Sequence, residues 1–236
     1  MTEPLVLLPG FMCDSRLFEA QIAALGRDYV VATAPVWSAE RIEETASALL
    51  DQLPSRFALC GHSFGGMVAL EIVRRAPKRV TRLCLISTTP LTESPEFAAT
   101  REPRIVAARS GRMADVMTQE VPLAALAPGV GRAAAHSRLI EMAEDLGAEA
   151  HYRQTRALQR RRDQQDTMRG ITQPLLLMCG FHDTIYPVKR HEFMAELLPY
   201  SELKIIDGAG HLAPLEAPDA VTDALSDWMR TPLMLR

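Results

Sequence analysis

The sequence predicts an α/β fold: a mostly parallel sheet of about six strands, flanked by helices and interrupted by one inserted helical segment. Three observations carry this. Short, strongly apolar runs recur along the chain and alternate with stretches of helical periodicity. The runs are apolar throughout rather than on every second residue, as expected of strands in a parallel sheet covered on both faces. The alternation stops near Pro90 and resumes near Ile171.

Taken in order, Leu5–Pro9 reads as the first buried strand, ending at Pro9-Gly10. Asp14 and Ser15 are N-cap candidates for a helix with Phe18, Ile22 and Leu25 on one face. Tyr29–Ala34 reads as the second strand, and Ser38 as the cap of a helix with the stripe Ile42, Ala46, Leu49 and Leu53. Phe57–Gly61 is the third strand, with a helix starting near Ser63, and Val80–Ser87 the fourth. Pro174–Gly180 and Glu202–Asp207 are the fifth and sixth, and a last helix carries Val221, Leu225 and Trp228. The interruption, 91–170, is rich in Ala, Arg, Glu and Met, contains no convincing strand, and is divided by Pro122, Pro128, Gly129 and Gly131. We expect one domain, its core formed by 1–90 and 171–236 and its helical cap by 91–170.

Composition narrows the function. A chain of 236 residues that is 47% hydrophobic builds one sizeable core. A net charge of −3 and a pI near 6.1 give no basic field, so nucleic acid is not an expected partner. No apolar run approaches the length of a membrane span. The start, Met1-Thr2-Glu3-Pro4, lacks a basic n-region and Leu5–Leu8 is too short for a signal core, so the expected location is cytoplasmic. Four dispersed cysteines, Cys13, Cys60, Cys84 and Cys179, then read as reduced thiols, the last three in strands. No ligand cluster has zinc or calcium spacing, so neither metal nor cofactor is expected. The run Arg160-Arg161-Arg162, followed by Asp163 and Asp166, reads as a solvated helix face.

The sharpest chemical signal is Gly61-His62-Ser63-Phe64-Gly65-Gly66, a G-x-S-x-G pattern between a strand and a helix. That context is the one in which a tight turn exposes a serine at the sheet edge, beside helix N–H groups that favour developing negative charge. Ser63 is the expected nucleophile. A serine hydroxyl needs a base. Of six histidines, His211 follows the last strand in a glycine-rich loop, Asp207-Gly208-Ala209-Gly210-His211. His191 reads as a helix-surface residue, and His62, adjacent to the serine on a tight turn, as pointing elsewhere. The acid is expected after the fifth strand, where Gly180-Phe181-His182-Asp183 offers Asp183; Asp207 is the second choice. Acyl transfer also needs two oxyanion donors. The backbone N–H groups of Phe64 and, from the loop after the first strand, Phe11 fit by position. Gly10 and Met12 are further candidates for substrate contact.

With these pieces assembled, the sequence resembles the α/β-hydrolase superfamily, in particular its small capped serine esterases and lactonases, such as 3-oxoadipate enol-lactonase and the carboxylesterases of biotin synthesis. The resemblance runs over nearly the whole chain, through Leu7-Leu8-Pro9-Gly10, the Gly61–Gly66 elbow, Gly180 to Pro187, and Gly208 to Pro218. It implies an α/β-hydrolase fold and a cap that covers the site and sets substrate choice. The chain departs from the pattern in carrying Pro9-Gly10 where many relatives carry His-Gly, and in starting at the strand that feeds this loop, without two N-terminal antiparallel strands. Relatives with aspartate at the elbow are dehalogenases and epoxide hydrolases; Ser63 leaves esterases, lactonases, thioesterases, C–C bond hydrolases and lyases. The expected activity is hydrolysis of a small-molecule carboxylic ester through an acyl-enzyme on Ser63. The same triad acting on a carbon–carbon bond, and a catalytically silent ligand-binding homologue, remain as alternatives. In the cap, Arg153, Arg156, Arg160 and Arg161 read either as solvated surface or as receptors for a substrate carboxylate. Met113 to Met117 reads either as core or as lining of an acyl site.

Overall fold

Six short segments pair side by side in the computed structural model of the chain, which describes residues 3–198 and 200–233. They are β1 (Leu5–Leu8), β2 (Val31–Thr33), β3 (Phe57–His62), β4 (Val80–Ile86), β5 (Leu175–Gly180) and β6 (Glu202–Ile206). The sheet order is β2-β1-β3-β4-β5-β6, and every pairing is parallel. Parallel pairing puts the C-terminal ends of all six strands on one edge, where the loops that carry chemistry gather.

Period two explains why the strands are apolar on both sides. Leu5, Leu7, Ala58, Cys60, Cys84, Ile86, Leu176 and Met178 belong to one buried cluster. Their alternates Val6, Leu8, Leu59, Leu83, Leu85 and Leu177 belong to the other. Helices cover both faces. In chain order they are α1 (Glu19–Leu25), α2 (Ile42–Leu50), α3 (Phe64–Arg75), α4 (Pro95–Ala99), α5 (Glu102–Arg109), α6 (Met113–Glu120), α7 (Arg132–Arg160), α8 (Gln165–Arg169), α9 (Val188–Glu196), α10 (Ala213–Glu216) and α11 (Pro218–Arg230). α1 and α11 pack on the first face; α2, α3 and α9 pack on the second. Helices α4 to α8 fill the interval between β4 and β5. Met113 and Met117 are buried there with Leu139 and Met142 of α7, so that methionine-rich segment is core.

Several sequence expectations shift. β2 is shorter than Tyr29–Ala34, because only Val31–Thr33 finds a register on β1 at this sheet edge. Ser38 does not cap α2. That helix begins at Ile42 after Arg41, has no side-chain cap, and carries Glu43 and Glu44 in its first turn, where their charge complements the helix dipole. Asp14 does cap, accepting the Arg16 N–H at the start of a short 3-10 turn before α1. The arginine run is only partly solvated: Arg160 pairs with Glu40 and Arg162 with Glu43, but Arg161 turns inward to the Leu91 carbonyl, 3.6 Å from Glu93. α7 is broken at Gly147, which at φ 78° leaves the helical region. All four cysteines are buried and unbridged.

What sets the site is how closely α3 lies on β1 and β3. A methyl on Gly65 would sit 2.2 Å from the Leu8 carbonyl oxygen and 2.5 Å from that of Pro9. One on Gly61 would meet the Gly65 carbonyl oxygen at 2.5 Å. Backbone cannot yield as a side-chain tip can, so Gly65→Ala is expected to cost about 1–3 kcal/mol, read as a lower urea midpoint with an unchanged m-value.

Candidate active site

Between the end of β3 at His62 and the start of α3 at Phe64 the chain has a single residue to turn in. Ser63 takes φ 49° and ψ −113°, outside both the helical and the extended regions. Such a conformation costs about 1–3 kcal/mol and persists only where neighbours impose it. Here they do. The Ser63 N–H donates to Ile86 O at 2.8 Å; its carbonyl accepts from Gly66 N at 3.0 Å and from the Thr88 hydroxyl at 2.7 Å. As the first helical residue, Phe64 has an N–H with no intrahelical acceptor.

The loop after β1 lies directly against this turn. A Cβ on Gly10 would be 2.5 Å from His62 Nδ1 and 3.4 Å from Ser63 Cβ. Gly10 to Cys13 form a turn closed by Cys13 N–H donating to Gly10 O at 3.1 Å, with Met12 at φ 52°. Among the described residues no acceptor takes the Phe11 N–H.

His211 is fixed through its backbone on every side. Its N–H donates to Ala125 O at 2.7 Å. The flanking N–H groups of Gly210 and Leu212 donate to the Glu216 carboxylate at 3.0 and 2.8 Å. Its own carbonyl accepts from His62 Nε2 at 2.7 Å, which assigns the proton of His62 to that nitrogen. The His211 ring presents Nδ1 to Asp183 Oδ2 at 3.0 Å. Asp183 follows β5; its other oxygen accepts the N–H groups of Ile185 and Tyr186, both at 2.9 Å, so both its oxygens are engaged. Burial pushes its carboxyl up, but His211 and these hydrogen bonds outweigh it and hold the pKa below the ordinary value. Asp207 is exposed beyond β6 and takes no part.

Ser63 and His211 line one cleft. Phe11, Met67, Val121, Leu158 and Ile185 supply its apolar wall, and Arg101 and Glu120 a charged end. The structure therefore brings Ser63, His211, Asp183, Phe11 and Phe64 together. Gly10 and Met12 are not among the cleft-lining residues: Gly10 is spent on the approach to His62, and the Met12 side chain is fully buried in the core. His62 points away from Ser63, as expected, its Nε2 donating to the His211 carbonyl, but His191 is not a surface residue: it is buried where α9 packs on the sheet, its Nε2 accepting the Thr88 N–H at 3.3 Å. None of the arginines singled out by spacing lines the cleft, although Arg161 Nη1 lies 3.2 Å from the sulfur of Met67 in its wall. Arg156 pairs with Glu102 and Arg160 with Glu40, while Arg153 is exposed. The arginine at the cleft is Arg101, with its side chain 6% exposed and bonded to Glu93 at 2.6 Å and Glu120 at 3.0 Å. No local pattern marks it, because its partners are 8 and 19 residues away. Among the described residues no group of three or more His, Cys, Asp or Glu side chains is placed to hold a metal ion.

A serine turn, a buried His–Asp pair and a parallel sheet are a combination with known relatives. The model of the alpha/beta hydrolase family matches residues 5–224. The chain belongs to the alpha/beta hydrolase family. Among curated relatives, it is 32% identical to the pimeloyl-[acyl-carrier protein] methyl ester esterase of Aromatoleum aromaticum over 202 residues, 80% of either chain. It is 31% identical to the enzyme of the same name from Photobacterium profundum, covering 82% of this chain and 78% of that one. Among solved structures, a thermophilic esterase from Thermogutta terrifontis superposes with a TM-score of 0.86 at 25% identity, covering 97% of this chain and 89% of that one. In this hydrolase no described helix is long and apolar enough to cross a membrane.

Burial has a further consequence in this hydrolase. It drives the rings of His151 and His191 down to a pKa of about 4 and that of His62 to about 3. Below pH 6.5 the unfolded chain protonates these rings and the folded chain does not. Stability therefore falls as pH drops from about 6.5 towards 4, by at most about 1.4 kcal/mol per pH unit for each histidine. Urea midpoints measured across that window should decline with acid, and less steeply in His191→Gln.

Proposed function

We propose that the chain hydrolyses small carboxylic esters through an acyl-enzyme on Ser63. The observation that carries this reading is the placement of Ser63, at its strained turn, in the same cleft as a His211 ring whose far nitrogen bonds the buried Asp183. His211 would take the Ser63 proton as the hydroxyl attacks the ester carbonyl. Asp183, held below its ordinary pKa, would fix the tautomer and stabilise the imidazolium. The oxyanion would lie between the N–H groups of Phe64 and Phe11, neither of which is spent elsewhere in its own element. His211 then protonates the leaving alcohol and activates the water that releases the acid.

Support for an ester as substrate comes from the methyl ester esterases to which the chain is about one-third identical. Residues 91–170 act, in this reading, as a cap that sets substrate choice. Arg101, Glu120, Val121 and Leu158, all from this segment, form part of the cleft wall, which supports it. Four unbridged thiols fit the cytoplasmic location expected from the sequence.

An alkyl fluorophosphonate should form one adduct, on Ser63, and abolish hydrolysis of p-nitrophenyl esters in step. Ser63→Ala is expected to lower kcat by about 10³-fold or more, and Asp183→Asn by about 10³- to 10⁴-fold, the latter with little change in KM. Ser63→Ala retaining most of the wild-type rate would sink the proposal. Activity on dicarbonyl substrates without activity on any ester would move the chemistry to carbon–carbon cleavage on the same triad.

A further inference from the structure

The turn that carries Phe11 is held from outside the core. In the Gly10–Cys13 turn, Met12 occupies the third position at φ 52°. A positive φ at that position is the mark of the turn form that glycine favours, and for methionine it is strained. Rotation of the central peptide, between Phe11 and Met12, would let Met12 relax into the right-handed region, and the turn would change form with it. Both ends of that peptide are caught. Its N–H donates to Gln154 Oε1 at 2.8 Å, a buried bond spanning 142 residues. Its carbonyl accepts from the Cys13 thiol at 3.4 Å.

Gln154 stands in the second half of α7, fully buried. Its Nε2 has no hydrogen-bond partner among the described residues. Burying an amide with half its capacity unmet is unfavourable, and an apolar side chain of that size would pack there without this cost. The one bond the amide does make therefore explains its presence. A backbone N–H can only donate, which assigns the amide oxygen to Met12.

We propose that Gln154 is a positioning residue: through the Met12 N–H it anchors the strained Gly10–Cys13 turn and so keeps the Phe11 N–H, one peptide earlier, aimed at the oxyanion. Freed of that anchor, Met12 would relax by shifting the turn as a whole, and the Gly10–Phe11 peptide that bears the donor would shift with it. The inference rests on the acyl-enzyme reading above and adds to it a dependence of the oxyanion hole on the inserted helices.

The test uses the full chain and p-nitrophenyl acetate, with rates expressed per Ser63 that fluorophosphonate can titrate. Gln154→Leu keeps the volume and removes the acceptor. It should lower kcat about ten- to a hundredfold with KM unchanged, short of the 10²–10³ lost with a donor outright. The fluorophosphonate inactivation rate should fall by the same factor, because it too develops an oxyanion. Gln154→Glu, which retains an acceptor oxygen, should stay within a few-fold of the parent. Adding Met12→Gly to Gln154→Leu should restore most of the rate, since glycine holds φ 52° without strain. If Gln154→Leu does not fold, Gln154→Asn, one methylene too short to reach, is measured in its place. A kcat within twofold of the parent in the acceptor-less variant, or a loss that Met12→Gly does not recover, overturns the inference. Failure of the parent chain to label at Ser63 strikes the acyl-enzyme reading instead.

Discussion

The structure turns on the lack of clearance around Ser63. Its backbone stays at φ 49° because α3, β1 and the end of β4 leave it no alternative: Ile86 O, Thr88 and the first turn of α3 hold its peptide groups from three directions. Helix and strands come that close only because Gly61, Gly65 and Gly66 present no side chain. The strain is local, but what offsets it is the entire second-face core, in which α3 is buried from Phe64 to Val73. A backbone conformation of this kind therefore belongs to the sheet as much as to the serine.

Charged groups at the cleft are paired, Arg101 with Glu93 and Glu120. His62, His151 and His191 are kept neutral by burial, leaving the imidazole beside Asp183 as the one aimed into the cleft. Glu216 shows the opposite handling of a carboxylate. Burial pushes its pKa up, and it is bonded to the N–H groups of Ala127, Gly210 and Leu212, so it works as a clamp on the His211 loop rather than as an acid in the cleft.

What the sequence made legible was whatever repeats locally. Short runs rich in apolar residues pointed to the six strands, and a glycine on either side of Ser63 pointed to the turn. Position after β5 and β6 picked out Asp183 and His211, which the fold places 3.0 Å apart. What escaped was non-local. Arg101 meets Glu120 across the cap, Gln154 meets Met12 across 142 residues, and His191 is buried by helix packing that its own heptad neighbourhood does not announce. That His62 points away from Ser63 was legible in the tight turn; its acceptor, a carbonyl 149 residues on, was not.

The break in α7 gives the inserted helices a joint. Gly147 leaves the helical region at φ 78°, and nothing crowds the space where its side chain would be. The two halves of the helix are thus set at an angle by one residue's backbone preference, not by packing against it. The first half, 132–146, contributes Leu139 and Met142 to one core, and the second, 148–160, delivers Gln154 to the turn after β1 and Leu158 to the cleft. Changes at this joint would re-aim the second half while leaving every strand in place. Natural drift or directed evolution thus has a route to a new pocket shape that leaves the serine, histidine and aspartate unaltered.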